Sequence, residues 1–271
     1  MNLTNEEIKK FKTLILTNKI NVKIIDLETS PSKFYGWMTG EQYVNYKNLV
    51  QQTETKIITA QYMDSLSDDP KYIKWKFDRQ KLISDDSNVV RGIVDIINSA
   101  DIIIGQNIRS FDLKVLQNRA RQLRLKPVRI DFNFDTTVHS RASFRQMSHS
   151  LDYRSNQYGL GGKIKMEMQD WINIVEGKVS VEHKMVPYGL KDIIDSDKVF
   201  WKDLPYYNLP RSIVNKIRRL IAQFDYINKC THCEQKQQRK FDISILNKKE
   251  NIFICNRCEN TWKIKLPIEA L

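Results

Sequence analysis

The apolar run that begins at Val22 carries two acidic residues near its end, Asp26 and Glu28, called here the acid pair. Residues i and i+2 of a β-strand point to the same face, so a strand over Val22–Glu28 presents both carboxylates together. Neighbouring carboxylates repel, and one of them holds its proton unless a cation lies between them. Carboxylate oxygens are the ligands that Mg²⁺ and Mn²⁺ select. The run therefore predicts either a buried strand with a divalent-metal site or a strand that ends in a solvated turn.

The composition predicts a folded chain with a polyanionic partner. Its 271 residues exceed the usual domain length of about 100–150 residues, which favours one large core with a small appendage, or two domains. The chain carries 44 Lys and Arg against 32 Asp and Glu, a net charge of +12. Such a field favours nucleic acid, although an AT-rich genome would also enrich lysine. No stretch reaches the ~20 apolar residues of a membrane span, so we expect no membrane contact.

Periodicity and turn signals predict strands first and helices afterwards. Thr4 and Glu7 form a capping box that predicts a helix over residues 4–18. From about residue 136 the pattern is mainly helical, and the order as a whole predicts an α/β fold with a mixed sheet flanked by helices. After Val22–Glu28, the predicted elements are strands at Lys56–Met63 and Tyr72–Phe77, a helix at Val89–Ser99, a strand at Asp101–Ile104, a helix at Phe111–Arg124, a strand at Val128–Phe134 and a helix at Arg211–Gln223.

Two further acidic segments accompany the acid pair. Asp112 begins the helix that follows a short buried strand, where the helix dipole favours a negative charge. It is either a helix-capping acid or part of a site shared with Asp26. Tyr188 and Asp192 lie four residues apart, so that they share one face of a helix. The alternative is that Asp192 and the nearby Asp195 and Asp197 form a solvated acidic face.

In this order, the segments resemble the motifs of the DEDD exonuclease superfamily in its tyrosine subtype. This superfamily has a ribonuclease-H-like fold and includes the proofreading domains of DNA polymerases. The resemblance covers roughly residues 20 to 205 and is nearest to standalone phage-type proteins related to family B polymerase exonuclease domains. The first motif is matched by Asp26-x-Glu28, the second by Asn107-x-x-x-Phe111-Asp112, and the third by Tyr188-x-x-x-Asp192.

The resemblance implies a 3′–5′ exonuclease that hydrolyses phosphodiester bonds with two divalent ions, Mg²⁺ or Mn²⁺, about 3.5–4 Å apart. Asp26 is expected to bridge the two ions. Glu28 and Asp192 are expected to complete the shell of one ion, and Asp112 to hold the other, partly through water. Tyr188 has a reference pKa near ~10, which makes it a poor general base. It is expected to orient the attacking water together with Glu28.

Candidate substrate contacts lie near the second motif and in a later basic stretch. By resemblance, Asn107 and Phe111 are expected to contact the terminal nucleotide, although core packing accounts equally well for Phe111. Cations and aromatic rings suit single-stranded nucleic acid, because phosphates meet the charge and bases stack on the rings. Aromatic rings in such a stretch also anchor helices. The stretch contains the cations Arg141, Arg145, Arg154, Lys163 and Lys165 and the rings Phe144, Tyr153 and Tyr158.

The C-terminal residues 226–271 are predicted to form a zinc ribbon. The pairs Cys230-x-x-Cys233 and Cys255-x-x-Cys258 are separated by 21 residues, with strand-like segments at 241–246 and 251–254 between them. Four thiolates leave no open position on the metal, so one structural Zn²⁺ is expected. A segment of ~40–45 residues buries too little surface to fold without such help. With every cysteine assigned to zinc, nothing requires an oxidising compartment, and we expect a cytoplasmic protein.

The sequence leaves more than one function open. The leading hypothesis is an exonuclease domain over residues 1–225 that acts on DNA in replication, repair or recombination, followed by the zinc ribbon. The alternatives are a 3′–5′ exoribonuclease and a non-catalytic zinc-ribbon module that binds nucleic acid or assists a polymerase. The basic tail would bind nucleic acid or protein. The residues after the third motif are too few for a polymerase domain, so we expect the chain to act alone or beside a polymerase or another replication protein.

Overall fold

A computed structural model describes residues 2–33, 55–78, 80–81, 83–129, 132–161 and 164–227, with side chains up to 222, and the backbone of three later strands. In chain order, the elements are α1 (Asn5–Leu16), β1 (Val22–Thr29), β2 (Ile57–Asp64), β3 (Lys71–Lys74), β4 (Lys76–Asp78), β5 (Ile83–Asp85), α2 (Ser87–Ser99), β6 (Ile102–Gly105), α3 (Asp112–Gln122), β7 (Asn133–Asp135), α4 (Thr136–Ser143), α5 (Leu151–Gln157), α6 (Met168–Val175), α7 (Met185–Asp203), a 3₁₀ helix (Leu204–Tyr206), α8 (Arg211–Ile227), β8 (Ile243–Asn247), β9 (Ile252–Cys255) and β10 (Thr261–Lys263).

The chain divides into two compact units, Asn18–Tyr207 and the two terminal segments that flank it. The larger unit is built on a five-stranded mixed sheet in the order β3-β2-β1-β6-β7. The central strand β1 pairs antiparallel with β2 and parallel with β6. The predicted α/β class, a mixed sheet flanked by helices, is confirmed. The predicted boundary between residues 225 and 226 stays a prediction.

The two faces of β1 have different neighbours. Ile25 and Leu27 point into an apolar core with residues of α2 and α3, such as Ile93 and Leu116. The acid pair alternates with these side chains and therefore points to the opposite face. Helix α7 contacts both β1 and β2. One face of the strand thus stabilises the fold while the other presents carboxylates.

Two predicted strands are shorter than expected. The predicted strand Tyr72–Phe77 is interrupted at Trp75. The Trp75 backbone N–H still donates to Ile58 O at 2.8 Å. After it, β4 leaves the five-stranded sheet and pairs with β5. Among the described residues of Val128–Phe134, only the last two lie in a strand, as part of β7. Before β7, the Val128 N–H donates to the Gln117 side chain at 2.9 Å. Side chains of neighbouring helices therefore replace sheet partners at that point.

The smaller unit consists of the residues up to Thr17 and those from Asn208 on. The capping box of Thr4 and Glu7 is present at the start of α1, as predicted. Arg218 of α8 donates to Glu7 Oε1 at 2.6 Å and ties the two helices together. Among the helices that the structure describes, none is long and apolar enough to cross a membrane.

The later strands of this unit form a three-stranded antiparallel sheet in the order β10-β9-β8. Strands β8 and β9 lie where the sequence predicted strands between the cysteine pairs. Cys255 ends β9 and is described by its backbone only, and Cys230, Cys233 and Cys258 lie outside the described residues. The zinc ribbon therefore stays a prediction.

Candidate active site

The acid pair lies near the carboxyl end of β1. Glu28 is 8% exposed and Asp26 is half-buried. In the antiparallel register with β2, Asp26 lies opposite Gln61 and Glu28 lies opposite Thr59. The register shifts between Glu28 and Thr29, so the strand becomes irregular directly after the second acid. Both carboxylates therefore lie on one face, at the point where the strand leaves regular pairing.

Asp112 comes to the acid pair from the first turn of α3. Its carboxylate is 4% exposed, and Oδ1 accepts a hydrogen bond from the Leu27 N–H at 3.1 Å. Because Leu27 lies between the two acids in the strand, this bond joins Asp112 to the backbone segment that carries them. Burial, and then the charge of Asp135, raise the pKa of Asp112 to about 7, against the opposing effect of its backbone hydrogen bonds. Loss of water around the buried carboxylate is therefore the main reason why ionisation of Asp112 is disfavoured.

Helix α7 brings Tyr188 and Asp192 to the same place. Burial raises the pKa of Tyr188 above its ordinary range, and the charges of Asp192, Glu28 and Asp26 raise it further, together with a hydrogen bond to Asp192. The ring of Trp171 packs edge-on against the Tyr188 ring, with 6.2 Å between centroids. The phenol therefore stays protonated at neutral pH and lies among three carboxylates.

Asp195 and Asp197 do not form a solvated acidic face, because each is 5% exposed and held by other groups. Lys191 Nζ donates to Asp195 at 2.6 Å. Asp197 accepts from the Ser65 hydroxyl at 2.6 Å and from the Leu66 N–H at 3.1 Å. Of the three neighbouring acids, the structure thus brings Asp192 to the acid pair and engages the other two elsewhere.

The segment before α3 is open to solvent. Phe111 is 44% exposed, so its ring is not packed in the core. Asn107 is exposed and has a left-handed backbone, with φ of 57°. Its carbonyl accepts from the Phe111 N–H at 3.2 Å, and its side chain accepts from the Ser110 hydroxyl at 2.6 Å. An aromatic ring and an amide are therefore exposed in the short segment that leads to the buried Asp112.

The basic stretch divides into exposed and buried residues. Arg145 and Lys165 are exposed, and their contact with substrate stays a prediction; Lys163 lies outside the described residues. The prediction for Arg154 is wrong, because this residue is 1% exposed. Its guanidinium donates to Asp203 at 3.1 Å and to the Tyr207 hydroxyl at 3.2 Å. A cation enclosed in this way cannot meet a phosphate.

Sequence reasoning missed two residues of the site, Gln61 and Gly189. Gln61 lies opposite Asp26 and is fully buried. Gly189 packs directly on the Gln61 side chain. A glycine inside a helical pattern signals either a break or a close approach of another chain segment. That signal was present one residue after Tyr188.

The family model described as the exonuclease domain of DNA polymerase family B matches residues 20–180, which is more than half of the chain. The chain belongs to this family. It is therefore a 3′–5′ exonuclease, a hydrolase with a ribonuclease-H-like fold. The matched range contains Asp26, Glu28 and Asp112 but ends before Tyr188 and Asp192. The place of these last two residues in the exonuclease site rests on the geometry of α7.

The structure of the family B DNA polymerase from the hyperthermophilic archaeon Pyrobaculum calidifontis is similar to this exonuclease, with 17% sequence identity and a TM-score of 0.49. The similarity covers 69% of this chain and 25% of the polymerase chain. The exonuclease thus spans about a quarter of the length of that polymerase. No curated protein matches its sequence.

Exonuclease domains of this family typically use divalent metal ions. Among the described residues, no group of three or more His, Cys, Asp or Glu side chains is arranged to hold a metal ion. The chemistry of the donors nevertheless fits a hard cation, since all four acids supply carboxylate oxygens. Burial is the main cause of the raised pKa of Asp112, and a divalent cation beside this carboxylate would lower the pKa again. Asp26, Glu28, Asp112 and Asp192 are therefore the residues that would hold such ions.

Proposed function

We propose that this exonuclease depends on divalent metal ions and acts on DNA. The proposal is carried by the carboxylates of Asp26, Glu28 and Asp192 around the phenol of Tyr188. The hydrogen bond from the β1 backbone to Asp112 supports a place for a fourth carboxylate at the same strand. The family description, which names a DNA polymerase, and the net charge of +12 support DNA as the substrate. Within this proposal, the enzyme works in replication, repair or recombination, alone or beside a polymerase.

The four acids would hold the metal ions. Asp26, Glu28 and Asp192 would hold one ion, and Asp112 would hold a second that Asp26 shares. When bound, two such ions activate a water molecule and stabilise the charge that develops on the phosphate and the departing 3′ oxygen. Tyr188 keeps its proton and therefore orients the attacking water by hydrogen bonding, rather than removing its proton.

The exposed segment before α3 would receive the end of the strand. Phe111 offers a ring for a base to stack on, and Asn107 offers an amide for hydrogen bonds. Phe111 directly precedes the buried Asp112, and the Asn107 carbonyl accepts from the Phe111 N–H, so a nucleotide held by them would lie near that carboxylate. A stacked and unpaired terminal base favours single-stranded ends over closed duplex.

The test is a time course of cleavage with 5′-labelled single- and double-stranded DNA and RNA, with and without Mg²⁺ or Mn²⁺. It compares the wild type with Asp26→Asn and with Asp195→Asn, a matched change at a buried acid that Lys191 holds. We expect metal-dependent shortening from the 3′ end in the wild type and in Asp195→Asn, and none in Asp26→Asn. Intact substrates in every lane, with binding retained, would contradict the proposal; faster loss of RNA would reassign the substrate.

The proposal extends to the C-terminal segment, where Cys230, Cys233, Cys255 and Cys258 would hold one structural Zn²⁺. The cysteine spacing supports it, and so does the antiparallel pairing of β8 and β9 between the two cysteine pairs. Measurement of bound zinc by mass spectrometry should give one ion per chain. A Cys230→Ser/Cys233→Ser variant should lose it, and a wild-type protein purified without zinc would contradict this part.

A further inference from the structure

A neutral amide lies beside the carboxylates. Gln61 of β2 is directly opposite Asp26 of β1, and opposed residues of antiparallel strands share one face of the sheet. Gln61 is nevertheless 0% exposed, so its side chain is enclosed between the sheet and the elements above it. A buried amide is costly unless its polar atoms are paired. Its position next to the acid pair therefore calls for an explanation.

Only part of this cost is offset by hydrogen bonding. Gln61 Nε2 donates to the hydroxyl of Thr59 at 2.8 Å, and Thr59, which lies opposite Glu28, is itself fully buried. Gln61 Oε1 has no hydrogen-bond partner among the residues that the structure describes. An unpartnered buried oxygen lowers the stability of the fold. An apolar side chain of the same size would avoid that cost, so fold stability alone does not account for glutamine here.

Helix α7 packs directly on this amide. A Cβ at Gly189 would lie 2.4 Å from Gln61 Nε2, 2.5 Å from Cδ and 2.9 Å from Cγ. Every other residue type at 189 would therefore displace either the helix or the whole glutamine side chain. Gly189 directly follows Tyr188 and lies one turn from Asp192. The contact between Gly189 and Gln61 thus sets the depth at which both functional side chains of α7 meet the sheet.

We propose that Gln61 is a positioning residue, which sets the distance between the α7 pair, Tyr188 and Asp192, and the acid pair of β1. Thr59 fixes the rotation of the Gln61 amide, and Gly189 provides the space in which the helix rests on it. The inference deepens the proposed function and rests on it, because the distance matters only if the acids share metal ions. Displacements of about 1 Å in such sites lower rates by about 10²-fold.

The test compares Gln61→Met with Gln122→Met. Methionine keeps most of the side-chain volume and removes the amide. Gln122 is a matched control, since it too has one buried amide atom, Nε2, without a hydrogen-bond partner in the described part of the chain. It lies at the end of α3, ten residues from Asp112, or about 15 Å along the helix. Mn²⁺ binding to the DNA-free protein by electron paramagnetic resonance, thermal unfolding, kcat and KM are measured for each variant.

We expect Gln61→Met to bind Mn²⁺ about tenfold or more weakly than the wild type, as is typical when groups that orient metal ligands are lost. The value of kcat should fall in parallel while KM for DNA stays unchanged. Gln122→Met should keep the Mn²⁺ affinity and kcat of the wild type. Equal Mn²⁺ affinities for the two variants would overturn the inference.

Thr59→Val keeps the inference testable if Gln61→Met does not fold. It removes the hydroxyl that accepts from Gln61 Nε2 and leaves the amide in place. We expect a smaller loss of Mn²⁺ affinity in the same direction, and an unchanged affinity would contradict a positioning role. A wild-type protein that neither binds Mn²⁺ nor cleaves DNA would instead overturn the proposed function. The two failures are therefore distinguishable.

Discussion

Helix α7 carries buried acids of two kinds. Near its start, Asp192 faces the acid pair of β1, and farther along lie Asp195, Asp197 and Asp203. Burial does not separate the two kinds, because Asp192 is 8% exposed and the other three are 5%, 5% and 3% exposed. The difference lies in what surrounds each carboxylate.

The acids later in the helix have cations or hydrogen-bond donors from the chain itself. Lys191 holds Asp195, the Ser65 hydroxyl and the Trp201 indole hold Asp197, and Arg154 holds Asp203. Asp192 has a hydrogen bond with Tyr188, but it also shares its surroundings with Glu28 and Asp26, whose charges add to the effect of burial in raising the pKa of Tyr188. Buried acids with compensated charge stabilise a fold, whereas gathered acids lower its stability until a cation arrives. The partners of a buried acid, rather than its burial, therefore indicate its role.

The largest difference in cleavage rate should be that between Asp192→Asn and Asp195→Asn. We expect Asp192→Asn to lower the cleavage rate by about 10³-fold, the upper range for loss of one group that stabilises charge in a transition state. Its thermal stability should stay the same or rise, because a repelling charge has gone. Asp195→Asn should keep the rate and lose stability. Single-turnover cleavage and thermal unfolding measure both effects, and equal cleavage rates for the two variants would contradict the different roles of Asp192 and Asp195.

Arg154→Met should act on stability instead of chemistry. The change leaves Asp203 buried without its guanidinium partner, and breaking such a pair costs about 3–5 kcal/mol. Urea unfolding measures this loss, and metal-dependent cleavage should persist in the folded fraction. Arg141→Met, at an exposed position of α4, is the control and should shift the free energy of unfolding by less than about 0.5 kcal/mol. An equally small shift in the free energy of unfolding for Arg154→Met would contradict a structural role of Arg154.

As the pH rises from about 4 to about 7, the contribution of Asp112 to the stability of the metal-free protein should fall, while that of the buried His139, whose pKa is lowered to about 4, rises. The folded protein raises the pKa of Asp112 to about 7, so over this range it binds a proton that the unfolded chain has released. The contribution of Asp112 to the free energy of unfolding therefore falls through this window and is constant above it. Other acids, such as Glu182 with its pKa lowered to about 2, titrate equally in wild type and Asp112→Asn. Urea unfolding in EDTA gives the free energy of unfolding at each pH. Plotted against pH, the values for the wild type and for Asp112→Asn should converge at low pH and separate by pH 7. Parallel curves would contradict the raised pKa of Asp112.

The smallest effect should come from Phe111→Ala, which tests the substrate surface beside the acids. Loss of one stacking ring weakens single-strand binding by about 1–3 kcal/mol, and the exposed position predicts little change in stability. Fluorescence anisotropy with a labelled oligonucleotide measures the affinity. Tyr206→Ala removes another exposed ring, beyond the opposite end of α7 from Tyr188, and should leave the affinity unchanged. Equal losses would remove Phe111 from the proposed binding surface.

Local pattern in the sequence was enough to predict most of the fold. The strand over Val22–Glu28, the helix at Val89–Ser99 and the helix after Phe111 lie within a residue or two of their predicted bounds. Apolar periodicity and turn residues act over a few neighbours, so they can be read without knowing the fold. The family motifs are equally short, and for this reason the exonuclease class could also be predicted from the sequence.

Which polar residues lie at the candidate site depends on contacts between distant segments of the chain. Arg154 lies in a basic stretch, yet its partner Asp203 is 49 residues away along the chain. Gln61 and Gly189 are farther apart still, and nothing around Gln61 in the sequence distinguishes it from an exposed strand residue. The charge and packing around a side chain are set by segments that only folding brings together. The sequence therefore determined the elements and the enzyme class of this protein, while long-range contacts decided which of its buried acids face one another.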